Sequence, residues 1–112
     1  MNAIDEQAIT LLKPSTRSAA FIREAADFQD IIHVYGDVDL ANCGELEQAI
    51  NVPRNADRAI VIDLTNCHYL DCSCLRVLVR AKKMFGSQLK VIVPDGSGIA
   101  RLFALTSLAE YF

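Results

Sequence analysis

The hydrophobic positions follow two different periods, and the change from one to the other marks the central unit of the chain. Ala59-Ile60-Val61-Ile62-Asp63-Leu64 is a short β-branched run, the pattern of a strand buried on both faces. From Cys74 the spacing changes. Cys74, Val77, Leu78, Ala81, Met84 and Phe85 fall on one stripe of an α-helix, with Arg76, Arg80 and Lys83 on the side facing water. Between strand and helix, Thr65 to Ser73 reads as a crowded polar loop. In open α/β sheets, ligands and partners meet the chain where strand ends give way to helix starts. This loop is therefore where function is expected.

The rest of the chain fits around that unit. Residues 1–18 read as a loosely attached tail that Pro14-Ser15-Thr16 keeps irregular, and residues 19–112 as the folded domain. Ala19 to Ala26 suits a first strand, although its alanines and Arg-Glu pair suit a helix as well. Asp30 to Val38 is a clearer strand, closed by Gly36-Asp37-Val38-Asp39. Asp39 or Asn42 can cap a helix running to about Ile50, with Val52-Pro53 beyond it as the stop. Gly86-Ser87 ends the central helix, Leu89 to Val93 is another buried strand, and Ile99, Leu102 and Phe103 face inward from a short last helix. The order predicts a single α/β domain with a mixed, mostly parallel sheet and helices mainly on one face.

Composition narrows the function classes. A chain of 112 residues holds one core, and its net charge of -3 argues against a nucleic-acid partner, which would call for a basic face. No apolar run reaches the roughly 20 residues of a membrane span, so no membrane partner is expected. Asp5 and Glu6 stand where a signal peptide would carry basic residues. The expected location is the cytoplasm, with the four cysteines reduced.

Candidate chemistry concentrates at Asp71-Cys72-Ser73-Cys74, where a helix start favours an anion or a thiolate. The bland alternative is an ordinary cap in a tight loop. Cys67, Cys72 and Cys74 form a candidate redox set, with Cys72 the reactive thiol. Their spacing is unlike paired zinc knuckles, and Cys43 and Cys74 lie on apolar stripes, so no metal is expected. Asp37, Asp39, Asp63 and Asp71 resemble strand-end and cap residues more than a carboxylate pair, and His33 and His68 have no evident nucleophile. Asp95-Gly96-Ser97-Gly98 lacks the Lys and the length of a phosphate loop. Neither enzymatic activity nor a cofactor is expected.

Four segments in order carry a family resemblance: Val34-Tyr35-Gly36-Asp37-Val38-Asp39, Ile62-Asp63-Leu64-Thr65-Asn66-Cys67, Tyr69-Leu70-Asp71-Cys72-Ser73 and Ala100 to Leu108. Together they make the chain similar to the STAS domain, from about Asp30 to Phe112. Its free-standing size points to the bacterial anti-sigma-factor antagonists rather than the tails of sulphate transporters. The resemblance implies binding to an anti-sigma factor of the serine-kinase type, releasing a sigma factor and switched by phosphorylation at the start of the second helix. The implied contact residues are Asp37, Asp39, Asp71, Cys72, Ser73, Arg76 and Arg80. In the family pattern, Asp-Ser-Ser/Thr-Gly, the acceptor directly follows the Asp. Here that position is Cys72, and Cys74 replaces the Gly, so Ser73 is left as a weak candidate acceptor. The alternative is a redox-responsive regulator on the same fold, pairing Cys72 with Cys67 or Cys74. A bare sheet edge also leaves room for a homodimer.

Overall fold

A computed structural model describes residues 18–106, 108, 111 and 112, so the expected tail lies outside the described residues except for Ser18. The elements are β1 (Ala19–Ala25), β2 (Gln29–Val38), α1 (Cys43–Ile50), β3 (Ala59–Leu70), α2 (Leu75–Phe85), β4 (Leu89–Ile92) and α3 (Gly98–Leu105). One sheet runs in the order β1-β2-β3-β4. The β1–β2 pair is antiparallel, whereas β2–β3 and β3–β4 are parallel. The alternation of strands and helices produces this arrangement, because each parallel return needs a helix as its crossover.

Ile32, Val34, Ile60, Ile62, Leu64 and Leu89 project from one face of the sheet into a core completed by Leu46 and Ile50 of α1, Leu75 and Leu78 of α2, and Ile99 and Phe103 of α3. All three of the described helices therefore cover the same face. Val61 and Ile62 are both buried, as a central strand requires. Met84 departs from the expected stripe: it is 65% exposed, while Leu75 is buried. Phe112 packs on Phe103 with ring centroids 5.6 Å apart. Among the described residues no helix is long and apolar enough to cross a membrane.

The stretch read as a loop is largely strand. β3 continues through Thr65 to Leu70, pairing Tyr35 with Asn66, Gly36 with Cys67, Asp37 with Tyr69 and Val38 with Leu70. Register shifts between His33 and Tyr35 and between Gly36 and Asp37 break the two-residue alternation, which hides the strand from a pattern reading. Gly36 is required here. Its φ is +85°, and a Cβ would lie 2.3 Å from the Ser18 carbonyl oxygen, which accepts a bond from the Asp37 N–H.

A charged hub ties the opposite end of the sheet. The buried Asp30 carboxylate accepts from Arg54 at 2.9 Å, Arg23 at 3.0 Å and Arg58 at 2.9 Å. Arg58 also donates to the Ala26 and Gln29 carbonyls, and Arg54 to the Ile50 carbonyl at the end of α1. One carboxylate thus joins β1, β2 and the connection between α1 and β3.

Candidate functional site

The C-terminal ends of β2 and β3 lie side by side, which brings two acidic loops together. The Asp71 N–H donates to the Val38 carbonyl at 2.9 Å, fixing the β3 exit against the β2 exit. Each exit then turns on its own aspartate. The Asp39 carboxylate accepts from the Ala41 N–H at 2.9 Å, and its carbonyl accepts from the Asn42 and Cys43 N–H groups. Asn42 does not cap α1 with its side chain. Its amide oxygen instead accepts from the Asp39 N–H, and its amide nitrogen donates to the Asp37 carbonyl at 3.0 Å. A buried asparagine therefore holds Asp37 and Asp39 in one tight turn.

Asp71 organises the second loop in the same way. Its Oδ1 accepts from both the backbone N–H and the hydroxyl of Ser73, each at 3.0 Å. Cys72 to Cys74 form a single 3-10 turn, and α2 proper begins at Leu75, one residue later than the period indicated. Cys72 is exposed at the tip, whereas Ser73 is half-buried with its hydroxyl engaged by Asp71.

Around the tip, Arg76 reaches back to the Ser73 carbonyl at 3.4 Å, and Arg80, a turn further along, pairs with Glu47 of α1 at 2.6 Å. Leu75, Arg76, Val79, Arg80 and Lys83 line a shallow groove of about 310 Å³ along the outer face of α2. The structure thus gathers Asp37, Asp39, Asp71, Cys72, Ser73 and Arg76 into one surface, with Arg80 at its far margin. Two further residues belong to it. Leu40 is 66% exposed beside Asp39, and Tyr69 is 40% exposed next to the β3 exit. Tyr and Arg are the residue types enriched at the energetic centres of protein contacts, and Tyr69 and Arg76 supply them here, with Leu40 adding apolar area beside them. Leu40 escapes a sequence reading because a leucine before a helix reads as core.

The cysteines separate by environment. None is disulfide-bonded. Burial pushes the Cys67 thiol up, and its Sγ donates to the Tyr69 carbonyl at 3.3 Å. Burial, with Cys43 as its thiol neighbour, pushes Cys74 up to about 12. High values suppress the thiolate that redox chemistry needs, so Cys72 is the one candidate redox thiol in solvent contact. Among the described residues no group of three or more His, Cys, Asp or Glu side chains is placed to hold a metal.

The STAS_2 family, described as Mlab, STAS domain, matches residues 22–110. No curated protein sequence matches the chain. Among solved structures, the chain is similar to an anti-sigma factor antagonist from Mycobacterium paratuberculosis, with 28% identity and a TM-score of 0.75, over 85% of this chain and 83% of that one. It shares a fold with the anti-sigma factor antagonist SpoIIAA in its unphosphorylated form, at 14% identity, TM-score 0.59, and 82% and 84% coverage. The Bacillus cell fate determinant SpoIIAA in the phosphorylated form gives 16% identity, TM-score 0.59, and 82% and 87% coverage.

Proposed function

The chain belongs to the STAS domain family, and from that premise we propose that it is a non-enzymatic regulator that binds an anti-sigma factor of the serine-kinase type and so releases a sigma factor. The observation that carries this reading is the acidic tip, where Asp39 and Asp71 are held by their own loops and the Asp37 backbone by Asn42, with Leu40 exposed beside Asp39. A rigid, charged rim with apolar area beside it suits protein recognition, because little side-chain entropy remains to be lost on binding. Likeness to a mycobacterial antagonist at 28% identity supports the choice of partner class.

The switch differs from the family's. Cys72 stands at the acceptor position, and the Ser73 hydroxyl is bonded to Asp71. We expect Ser73 to be a poor kinase substrate and the protein to bind its partner constitutively. Oxidation of the exposed Cys72 is the alternative means of control, and a partner-binding assay of wild type and Cys72→Ser with and without peroxide separates the two.

The surface itself is tested by Leu40→Asp and Arg76→Glu, both exposed positions whose substitution leaves the core intact. Each should weaken binding to the purified anti-sigma factor by about tenfold or more, the range of a contact residue worth over 1 kcal/mol. Circular dichroism should be unchanged. Unaltered affinity in both variants would remove this surface from the account.

A further inference from the structure

The described helices cover one face of the sheet, and the other carries an ordered set of side chains in which Val61 is already buried among its neighbours. Register places them in two rows. Glu24, Ile31, Val61 and Lys90 cross the four strands in the first, and Ile22, His33, Asp63 and Ile92 in the second. Ile22 is 54% exposed and Ile92 46%, at opposite edges of the sheet. Between them His33 bridges Glu24 at 2.7 Å and Asp63 at 3.2 Å. Both rows read as apolar and charged groups in mirrored order: acid at the β1 edge and Lys at the β4 edge in the first, isoleucine at both edges in the second.

We propose that this face is a two-fold interface with a second copy of the chain. A two-fold axis lying between the sheets, along the strands, exchanges β1 with β4 and β2 with β3. Glu24 then faces Lys90 of the second copy, Ile31 faces its Val61, Ile22 its Ile92, and His33 its Asp63. Glu24 with Lys90 is opposite in charge, Ile31 with Val61 and Ile22 with Ile92 are apolar on both sides, and His33, whose two ring nitrogens are already bonded within its own chain, adds no new bond; each pair occurs twice, as an isologous contact requires. Sheets packed face to face stay within about 30° of alignment, which keeps the rows opposed. The patch is about 19 Å across four strands and roughly 17 Å along five residues. That is well below the roughly 800 Å² per partner of a standard interface, so dissociation constants on the order of 100 µM are expected.

This inference is independent of the anti-sigma partner, and its test uses the chain alone. Sedimentation velocity of the full chain, from about 10 to about 500 µM, should show a monomer–dimer equilibrium. Glu24→Lys and Lys90→Glu should each weaken dimerisation about tenfold, since each reverses two contacts. The double exchange should recover it. Glu24 and Lys90 of one chain are three strand spacings apart, roughly 14 Å, so recovery cannot come from within a monomer. A monomer across the whole range would overturn the proposal, as would single variants that dimerise like wild type or a double variant that stays monomeric. A dimer seen only after Leu11→Asp and Leu12→Asp in the full chain would also overturn it, by making the chain's own N-terminal segment the occupant.

Discussion

Asp30→Ala is expected to destabilise the domain by about 3–5 kcal/mol, the cost of removing one partner from a buried ion cluster. The Asp30 side chain is 1% exposed, and Arg54, at 5%, would be left with a buried charge facing backbone carbonyls and the Phe85 ring but no carboxylate. Urea denaturation should show the loss as a lower midpoint with an unchanged slope. The same cluster sets an acid dependence. Bonding from Arg54, reinforced by Arg23 and Arg58, outweighs burial and holds the Asp30 carboxyl at about 2, against 3.8 ordinarily. A carboxyl depressed in the folded state stabilises above its unfolded pKa, and that stabilisation is lost as pH falls through the folded value. Roughly 2 kcal/mol should therefore disappear between about pH 4 and pH 2. Asp30→Asn should be less stable at neutral pH and flatter across this acid range. An Asp30→Asn variant with the wild-type acid slope would contradict the assignment.

Ile62→Asp should leave the chain unfolded at room temperature. Ile62 is fully buried in the middle of the central strand, between the β2 and β4 partners Ile32 and Val91. Burying such a side chain contributes about 1.5–3 kcal/mol, and a carboxylate in its place adds the cost of an unpaired group in an apolar core. The sum is comparable with the whole stability of a small domain, about 5–15 kcal/mol. Far-UV circular dichroism of the variant should lack a cooperative thermal transition. A folded Ile62→Asp variant would mean that β3 is not the centre of the core.

The fold was legible where burial imposes a simple period. The apolar run at Ala59–Leu64 and the stripe from Val77 to Ala81 are forced by contact with the core, and the structure places both as expected. Thr65 to Leu70 was not legible as strand. Its alternation is interrupted by register shifts, and Thr65, Asn66, His68 and Tyr69 are exposed, with only Cys67 and Leu70 turned into the core. The site was half legible. Asp39 and Asp71 stand out as strand-end acids, but Asn42, the residue that ties Asp37 to Asp39, looked like a helix cap. Leu40 gave no signal, because exposure is a tertiary property. Likewise, no spacing rule identifies Cys43 as the thiol neighbour of Cys74, since the two are joined only by helix packing.

The switch is where this chain departs most from the family pattern. A phosphate carries about -1.5 to -2 charges at neutral pH and would sit beside Asp37, Asp39 and Asp71, so any phosphorylated tip should release its partner. At Ser73 the hydroxyl is turned into the Asp71 carboxylate, and one residue along a 3-10 turn rotates a side chain by about 120° from the Cys72 direction. The most direct measurement is incubation with the serine-kinase anti-sigma factor and ATP, followed by mass spectrometry of the peptide from Tyr69 to Arg76 and by partner binding on the same sample. The account predicts an unmodified wild-type peptide with binding retained, and phosphate with loss of binding in Cys72→Ser. Stoichiometric phosphate on Ser73 of the wild type would contradict it.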